Sequence, residues 1–237
     1  MTDELKRAVG RRAAELVDDG MSLGLGTGST ADCFLDALGE RVRAGLRVRG
    51  VPTSERTARR AEALGIALTT LEECPRLDLA VDGADQVDPR GHLIKGLGGA
   101  LFREKRVAKA SAELVIIVDE GKLVDLLGAG CPVPVEVRVD AGETVREAIR
   151  SLGADPVLRS REDRPYVTDN GNHIVDAHFP SVSDPAALEG ALNRIPGVLD
   201  NGLFVGMTGR VLAGGPRGVR LLAAGEPGGL LGEIREA

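Results

Sequence analysis

The first 130 residues alternate between two patterns of apolar positions, one with the period of a helix and one made of short continuous runs. Helical spacing predicts a first helix after Thr2 or Asp3, either of which is a possible N-cap. Its apolar face comprises Leu5, Val9, Ala13 and Leu16. The same spacing predicts three more helices, over 29–44, 54–64 and 99–111. The apolar runs predict five strands, at 21–26, 46–51, 66–70, 77–81 and 113–119.

These five strands lack the alternation of polar and apolar residues that a half-exposed strand shows. Strands that are buried on both faces read as continuous apolar runs, and here helices separate most of them. The pattern therefore predicts an α/β fold, an open doubly wound and mostly parallel sheet with helices on both faces. Ligands of such sheets bind at the carboxyl ends of the strands.

The pattern changes after Gly130-Cys131-Pro132. Residues 133–140 alternate strictly, with Val133, Val135, Val137 and Val139 on one face, which predicts a half-exposed strand. Thr144 and Glu147 fit a capping box, so a helix is expected to begin there. Further elements are predicted in chain order: a strand over 155–160, a hairpin around Asn170-Gly171, a helix after Asp184-Pro185 and a strand over 197–205.

This order, β-α-β-β-α-β, is that of a ferredoxin-like α+β module. We therefore expect two domains. A small α+β domain over 132–205 is inserted into a larger one formed by 1–131 and 206–237.

Composition narrows the class of protein. The apolar fraction is 43% and the aromatic fraction only 2%, which suits closely packed α/β layers and excludes a disordered chain. No run approaches the length of a membrane span and no signal core opens the chain, so a cytoplasmic protein is expected. A net charge of −6 argues against a nucleic-acid partner. The three cysteines lack the spacing of metal ligands, and we predict that they are small buried residues.

Four stretches carry candidate chemistry, and the first is "GLGTGST" at 24–30. It runs from a strand through a glycine turn into a helix, and backbone N–H groups at such a turn can surround one phosphate. Ser29 and Thr30 would add hydroxyl donors. The spacing matches neither the dinucleotide fingerprint nor the Walker motif. A plain turn with a helix cap is the alternative.

The other three stretches hold charged side chains. "DGADQVD" at 82–88 is either an Asp-Gly turn, a pair of working carboxylates or a magnesium site. In "KGLGGALFREK" at 95–105, Glu104 shares a helix side with Leu101, and partial burial would raise its pKa and suit it to proton abstraction. An ordinary surface glutamate is the alternative. Lys122 in "VDEGK" would, taken alone, be a solvated lysine.

All four stretches lie at or just after the carboxyl ends of predicted strands, so we expect them to meet. Together they offer the glycine turn of residues 24–30 as a cup for one phosphate, two aspartates, two lysines and a glutamate. His92, His173 and His178 are scattered and form no cluster for metal or nucleophilic chemistry. The set suits proton transfer on a phosphorylated, hydroxyl-rich molecule.

These residues resemble the type A ribose-5-phosphate isomerase family over nearly the whole chain. The similar stretches are "DELKRAVG", "GLGTGSTA", "PTSERT", "VDGADQVD", "KGLGGALFREK", "DEGK", "PVPVEV", "TDNGNHIVD" and "IPGVLDNGLF". The resemblance implies a Rossmann-like sheet with a small α+β domain. It also implies interconversion of D-ribose 5-phosphate and D-ribulose 5-phosphate in the pentose phosphate pathway, by a homodimer or a tetramer without cofactor or metal.

By resemblance, Glu104 is the proton acceptor, Lys95 stabilises the oxyanion, and Asp82 and Asp85 assist ring opening and proton shuttling. The substrate site is implied to comprise Lys6, Thr27, Gly28, Ser29, Thr30, Asp82, Gly83, Ala84, Asp85, Lys95, Gly96, Leu97, Gly98 and Lys122. Leu97 departs from the family, where many relatives have glycine, and it would be strained if that position required a positive φ.

Two other classes of function stay open at this point. A non-catalytic sugar-phosphate sensor could use the same cup, although it would not need Glu104 together with both lysines. An acyl or CoA transferase on a related fold would use a glutamate as nucleophile. Formation of ketose from ribose 5-phosphate would distinguish the isomerase from both.

Overall fold

The computed structural model describes residues 2–224 and 229–234. Within these ranges no helix has the length and apolar character needed to cross a membrane. The helices are α1 (Asp3–Ala14), α2 (Ser29–Arg43), α3 (Glu55–Ala63), α4 (Leu101–Ala110), α5 (Gly142–Ser151) and α6 (Pro185–Asn193). Two short 3-10 turns are formed by Glu120–Lys122 and Val139–Ala141.

The strands of the described residues fall into four sheets. In the first half of the chain they are β1 (Ser22–Leu25), β2 (Arg49–Pro52), β3 (Ala67–Leu68), β4 (Leu79–Asp82), β5 (Gln86–Val87), β6 (Leu93–Ile94) and β7 (Leu114–Asp119). In the second half they are β8 (Val133–Val137), β9 (Asp155–Leu158), β10 (Ser160–Arg161), β11 (Arg164–Pro165), β12 (His173–His178), β13 (Val198–Asn201), β14 (Leu203–Phe204), β15 (Thr208–Gly215), β16 (Gly218–Ala224) and β17 (Leu231–Glu233).

The largest sheet has the order β17-β16-β15-β7-β4-β1-β2-β3. The six strands from β15 to β3 are parallel, and β16 and β17 add an antiparallel edge. The direction of winding reverses between β1 and β4, because β2 lies on one side of β1 and β4 on the other. Such a reversal leaves a crevice at the carboxyl ends of the strands, so the fold places a ligand site there. The predicted doubly wound sheet is confirmed.

Both faces of this sheet are buried, which explains the continuous apolar runs. In β7, Val115 and Ile117 pack into one core with Phe34 of α2, while Ile116 and Val118 pack into a second core with α4. Successive side chains of a strand point to opposite faces, so a strand between two helix layers needs apolar residues at every position.

The second sheet, in the order β13-β8-β12-β9, is antiparallel throughout. Helices α5 and α6 contribute Val145, Ile149 and Leu192 to its core. The strand order and the two helices reproduce the ferredoxin-like module that the sequence predicts. Its elements precede β15, which returns to the large sheet beside β7. The exact domain bounds stay a prediction.

Three details of the small module differ from the prediction. Strand β8 is buried on both faces, because Glu136 is fully buried and accepts hydrogen bonds from Thr168, Asn170 and Asn172. Val139 is not part of the strand but lies in a 3-10 turn and is 55% exposed. That turn runs directly into α5, so the helix begins at Gly142 and the predicted capping box is wrong.

The predicted hairpin around Asn170-Gly171 is also wrong in part. A tight turn is present, with Gly171 at a φ of 77° and the Thr168 N–H donating to Asn172 O over 2.9 Å. The segment before this turn does not pair with β12, whose neighbours are β8 and β9. A short hairpin of β10 and β11 forms instead. The N-caps Thr2 and Asp184, by contrast, accept hydrogen bonds as predicted.

Candidate active site

A cleft of about 370 Å³ opens at the carboxyl ends of β1, β4 and β7, where the winding reverses. All four candidate stretches contribute to it. The predicted site residues that line it are Lys6, Thr27, Gly28, Ser29, Thr30, Gly83, Ala84, Asp85, Lys95, Gly96, Gly98, Glu104 and Lys122. Asp82 and Leu97 are the two predicted residues outside this lining.

One end of the cleft is the start of α2. Gly28 precedes the helix with a φ of 125°, a conformation that favours glycine, and Ser29 is the first helical residue. The first N–H groups of a helix have no partner within it and carry partial positive charge. Lys6 of α1 and Lys122 of the 3-10 turn line the same cleft. This end is therefore suited to an anion such as a phosphate.

A set of hydroxyl groups holds the turn before α2. The Thr27 hydroxyl lies 2.7 Å from that of Thr53, 2.9 Å from that of Ser54 and 3.0 Å from that of Thr57. Thr57 in turn donates to the Gly26 carbonyl over 3.0 Å. Thr53, Ser54 and Thr57 are buried, so these bonds are protected from water. They fix the backbone from which the phosphate end of the cleft is built.

Asp82, at the end of β4, lies beneath the cleft rather than in its wall. Its Oδ1 atom accepts hydrogen bonds from the N–H groups of Thr27 at 3.1 Å and Gly83 at 2.8 Å. Its Oδ2 atom lies 3.0 Å from Lys95 Nζ. A Cβ at Gly26 would overlap with this carboxylate, so glycine is required there. Asp82 thus joins the turn after β1, the turn after β4 and Lys95.

Lys95 is only 3% exposed. It follows β6, which pairs antiparallel with β5 and β14, so the prediction that this stretch follows a parallel strand of the large sheet is wrong. Its ammonium group donates to the Gly83 carbonyl and lies 3.0 Å from Asp82 Oδ2 and 3.5 Å from Glu104 Oε2. The ring of Phe204 lies beneath it, with the centroid 5.4 Å from Nζ. Burial alone would lower the pKa of Lys95, but the carboxylates of Asp82 and Glu104 outweigh it and raise that pKa. Lys95 is therefore a fixed cation.

Glu104 occupies the first turn of α4 and is 5% exposed. Its Oε2 atom has no hydrogen-bond partner among the described residues. Burial is the largest influence on the pKa of Glu104 and raises it, the Lys95 ammonium group lowers it, and the charges of Asp82 and Asp85 raise it. The net result is a pKa of about 8. Burial also raises the pKa of Asp82. A carboxylate with a raised pKa in the lining of a cleft is a suitable general base.

Asp85 and the turn after Lys95 complete the wall. The Leu97 N–H donates to Asp85 Oδ2 over 3.0 Å. Gly96 and Gly99 carry the positive φ angles of this turn, 104° and 86°. Leu97 does not, and its side chain is 43% exposed, so the strain that a positive φ would have caused at Leu97 is absent.

Several contributors to this site are not among the residues predicted from the sequence. Asp119 lines the cleft and caps the turn that carries Lys122, a role that the motif "VDEGK" could have indicated. Phe204 and Arg159 contact Lys95 and the turn after it, but they come from distant parts of the chain and carry no local signal. Within residues 2–224 and 229–234 no group of three or more His, Cys, Asp or Glu side chains could hold a metal ion.

Comparison with known proteins shows that the chain is similar to an enzyme family. Residues 49–218 match a family model described as "Ribose 5-phosphate isomerase A (phosphoriboisomerase A)". The chain is 53% identical to ribose-5-phosphate isomerase A of Gloeobacter violaceus over 222 residues, covering 93% of this chain and 96% of that one. It is 48% identical to the enzyme of the same name from Parvibaculum lavamentivorans, over 94% of this chain and 99% of that one.

Solved structures agree in fold. Ribose 5-phosphate isomerase A from Methanocaldococcus jannaschii superposes with a TM-score of 0.90 at 42% identity, covering 94% of this chain and all of that one. A D-ribose-5-phosphate isomerase in complex with phospho-erythronic acid superposes with a TM-score of 0.92 at 40% identity, over 94% of this chain and 100% of that one.

Proposed function

We propose a reaction for this cleft on the premise that the chain belongs to the ribose 5-phosphate isomerase A family. The protein is an aldose–ketose isomerase that interconverts D-ribose 5-phosphate and D-ribulose 5-phosphate. The observation that supports the chemistry best is the buried Glu104 carboxylate, 3.5 Å from the Lys95 ammonium group in one cleft with the start of α2.

In the proposed reaction, the ionised Glu104 carboxylate removes the proton from C2 of the open-chain aldose. The electron pair of that C–H bond forms a C1–C2 double bond, and the former carbonyl π electrons become an oxyanion on O1. Lys95 and the N–H groups of the turn after it stabilise this charge. After a proton has moved from O2 to O1, Glu104 returns its proton to C1, and the carbonyl group re-forms at C2.

The two aspartates have separate roles in this proposal. Asp85 lines the cleft and can move protons between O1 and O2 and assist ring opening. Asp82 lies outside the lining and already accepts bonds from Thr27, Gly83 and Lys95. This supports a narrower role for Asp82 than the sequence predicted, namely to fix the position and charge of Lys95.

The phosphate group is proposed to bind at the start of α2. Ser29 and Thr30 offer hydroxyl groups there, the helix offers N–H groups, and Lys6 and Lys122 offer positive charge. A relative was solved with phospho-erythronic acid, a phosphorylated acid, which supports a phosphorylated sugar as the ligand class. Hydrogen bonds to a charged group contribute about 1.5–3 kcal/mol each, so substrate binding should depend on the phosphate.

Incubation with ribose 5-phosphate, while ketose formation is followed, tests this function directly. We expect turnover with ribose 5-phosphate and almost none with unphosphorylated ribose. Binding without turnover would indicate a sensor. Acyl transfer through a covalent glutamyl intermediate would indicate a transferase. Similar kcat/KM values for ribose and ribose 5-phosphate would contradict the phosphate site.

Some finer features rest on the family alone and are proposals. They are the homodimer or tetramer, the cytoplasmic location and the place in the pentose phosphate pathway. The division into a domain of residues 1–131 with 206–237 and an inserted domain of 132–205 is supported by the two largest sheets, each of which takes its strands from one part alone. The small sheet of β14, β6 and β5 joins the two parts. Neither a cofactor nor a metal is needed by the proposed reaction, because Lys95 and Lys122 supply the positive charge.

A further inference from the structure

Arg159 lies outside the cleft, directly after β9 of the small sheet. Its backbone is fixed on both sides, since its N–H donates to the Ile174 carbonyl over 2.8 Å and its carbonyl accepts from the Tyr166 N–H over 2.8 Å. The side chain is 12% exposed and reaches toward the turn after Lys95. An arginine held in this way has a defined position before any substrate binds.

The guanidinium group of Arg159 contacts both a carboxylate and the turn. Its Nε atom donates to Asp176 Oδ2 over 2.8 Å and its Nη2 atom to Oδ1 over 2.5 Å. Its Nη1 atom donates to the Gly96 carbonyl over 2.9 Å and to the Leu97 carbonyl over 3.1 Å. The Asp176 carboxylate fixes the plane of the guanidinium, and the guanidinium holds two successive carbonyl groups.

These contacts determine the orientation of two successive peptide groups. In a trans peptide the C=O and the N–H point in opposite directions. The peptide from Gly96 to Leu97 is held at both ends, by Arg159 at its oxygen and by Asp85 at its N–H. In the next peptide Arg159 holds the Leu97 oxygen, so the Gly98 N–H is directed away from Arg159.

The Gly98 N–H has no acceptor among the described residues, and Gly98 lines the cleft that contains Lys95 and Glu104. An N–H group held in this manner can stabilise the oxyanion without reorganisation during the reaction. Gly98 carries no side chain, and a Cβ built there would meet open space. Orientation of this peptide therefore depends on the contacts of Gly96 and Leu97.

We propose that Arg159 is a positioning residue for the isomerisation, which orients the turn of residues 96–99 so that the Gly98 N–H faces the reacting oxygen. The proposal rests on the proposed function of the cleft. Arg159 does not touch substrate in this account. Loss of Arg159 should lower kcat, because the Gly98 N–H acts on charge that develops only during the reaction. Substrate binding should change little, because the phosphate end of the cleft lies elsewhere.

The test compares Arg159→Met with a matched control, Arg210→Met. Arg210 also makes a two-point ion pair, with Glu113, and the pair lies outside the cleft lining. We expect Arg159→Met to lower kcat for ribose 5-phosphate by about 10- to 100-fold, the scale of a misplaced catalytic group. The inhibition constant of inorganic phosphate should stay within about threefold of wild type, and Arg210→Met should keep wild-type kcat.

A normal kcat in Arg159→Met would overturn the proposal, as would an equal loss of kcat in Arg210→Met. Loss of phosphate inhibition together with kcat would also overturn it, since that pattern indicates general damage. If Arg159→Met does not fold, Arg159→Lys replaces it, because lysine keeps a cation for Asp176 but cannot hold that carboxylate and two carbonyls in one plane. That variant should still lose kcat, and full activity would overturn the proposal.

The kcat of Glu104→Gln is measured in the same series, so that failure of the proposed function can be distinguished from failure of the role proposed for Arg159. If it keeps its turnover, the proposed base is wrong, whatever the Arg159 variants show. If it is inactive while Arg159→Met is fully active, the proposed function stands and only the role of Arg159 fails.

Discussion

Lys95 Nζ lies 3.5 Å from Glu104 Oε2, and both side chains are at least 95% buried, with exposed fractions of 3% and 5%. The same ammonium group lies 3.0 Å from Asp82. One buried lysine cannot neutralise two buried carboxylates, so one of the carboxyl groups is favoured in its protonated form. Burial raises the pKa of Glu104 to about 8, which makes Glu104 the group that changes charge near neutral pH.

The first prediction concerns the pH dependence of catalysis. Because Glu104 must be ionised to act as a base, kcat/KM for ribose 5-phosphate should rise with pH and level off above its pKa of about 8. The rate should be measured above about pH 7, where most of the substrate phosphate is already in its doubly ionised form. A kcat/KM that is constant or falls between about pH 7 and 9 would contradict this assignment.

The second prediction concerns stability. The pKa of Glu104 is about 8 in the folded protein, whereas the ordinary value of 4.5 applies in the unfolded chain. Between pH 4.5 and about 8 the folded state therefore binds more protons than the unfolded state. The contribution of Glu104 to the free energy of unfolding should therefore fall as pH rises from about 5 to 8. Glu104→Gln cannot ionise, so its Tm relative to wild type should increase over this range.

Thermal unfolding of both proteins at about pH 5, 7 and 9 measures this difference. Glu62→Gln, at an exposed position of α3, is the control and should follow wild type at each pH. A difference in Tm between Glu104→Gln and wild type that does not change with pH would argue against a raised pKa.

Much of the fold could be predicted from local pattern. Strands such as β7 need apolar residues on both faces, and this requirement is visible in five successive apolar residues, 114–118. The strict alternation of Val133, Val135 and Val137 indicated one buried face of β8 correctly. The other face was misjudged, because burial of Glu136 depends on three donors in 168–172, more than thirty residues away.

The site was predictable for a different reason. Parallel strands end at one edge of the sheet, so residues after β1, β4 and β7 had to meet there. The sequence could not show that Asp82 lies beneath the cleft, since that follows from its bonds to Thr27 and Lys95. Nor could it show Arg159, whose contact with Gly96 spans 63 residues.

The third prediction concerns Lys105, a fully buried lysine of α4 beside Glu104. Its ammonium group lies 2.9 Å from Glu189 and 2.8 Å from Asp200, which belong to α6 and β13. Lys105→Met would leave both carboxylates without this cation and should lower the free energy of unfolding by about 3–5 kcal/mol. Chemical denaturation measures the change.

Lys109→Met is the matched control for Lys105→Met, because Lys109 lies on the same helix and is exposed. It should change stability by less than about 0.5 kcal/mol. Equal effects of the two substitutions would mean that the buried ion pairs of Lys105 do not stabilise the fold.

The fourth prediction concerns metals. Lys95 and Lys122 can supply the positive charge that a divalent cation would otherwise bring to the oxyanion and the phosphate. Dialysis against a chelator should therefore leave kcat/KM unchanged, with a known magnesium-dependent enzyme treated in parallel. Activity that is lost on chelation and restored by Mg²⁺ would require Asp82 and Asp85 to be reinterpreted as metal ligands.

The fifth prediction concerns the base itself. Glu104→Gln keeps the size of the side chain but removes its ability to accept a proton, so kcat should fall by about 10²–10⁴-fold. Substrate affinity should change little, because the phosphate contacts lie at the start of α2. Ser29→Ala is the converse control, and it should weaken substrate binding while leaving proton transfer at saturation largely intact.

Exchange of the C2 proton of ribose 5-phosphate with solvent deuterium, followed by NMR, tests the assignment of Glu104 most directly. Wild type and Ser29→Ala at saturating substrate should exchange this proton, because both retain the base. Glu104→Gln should not exchange it. Exchange by Glu104→Gln at close to the wild-type rate would show that Glu104 is not the base, and the base would then be sought at Asp85, which also lines the cleft.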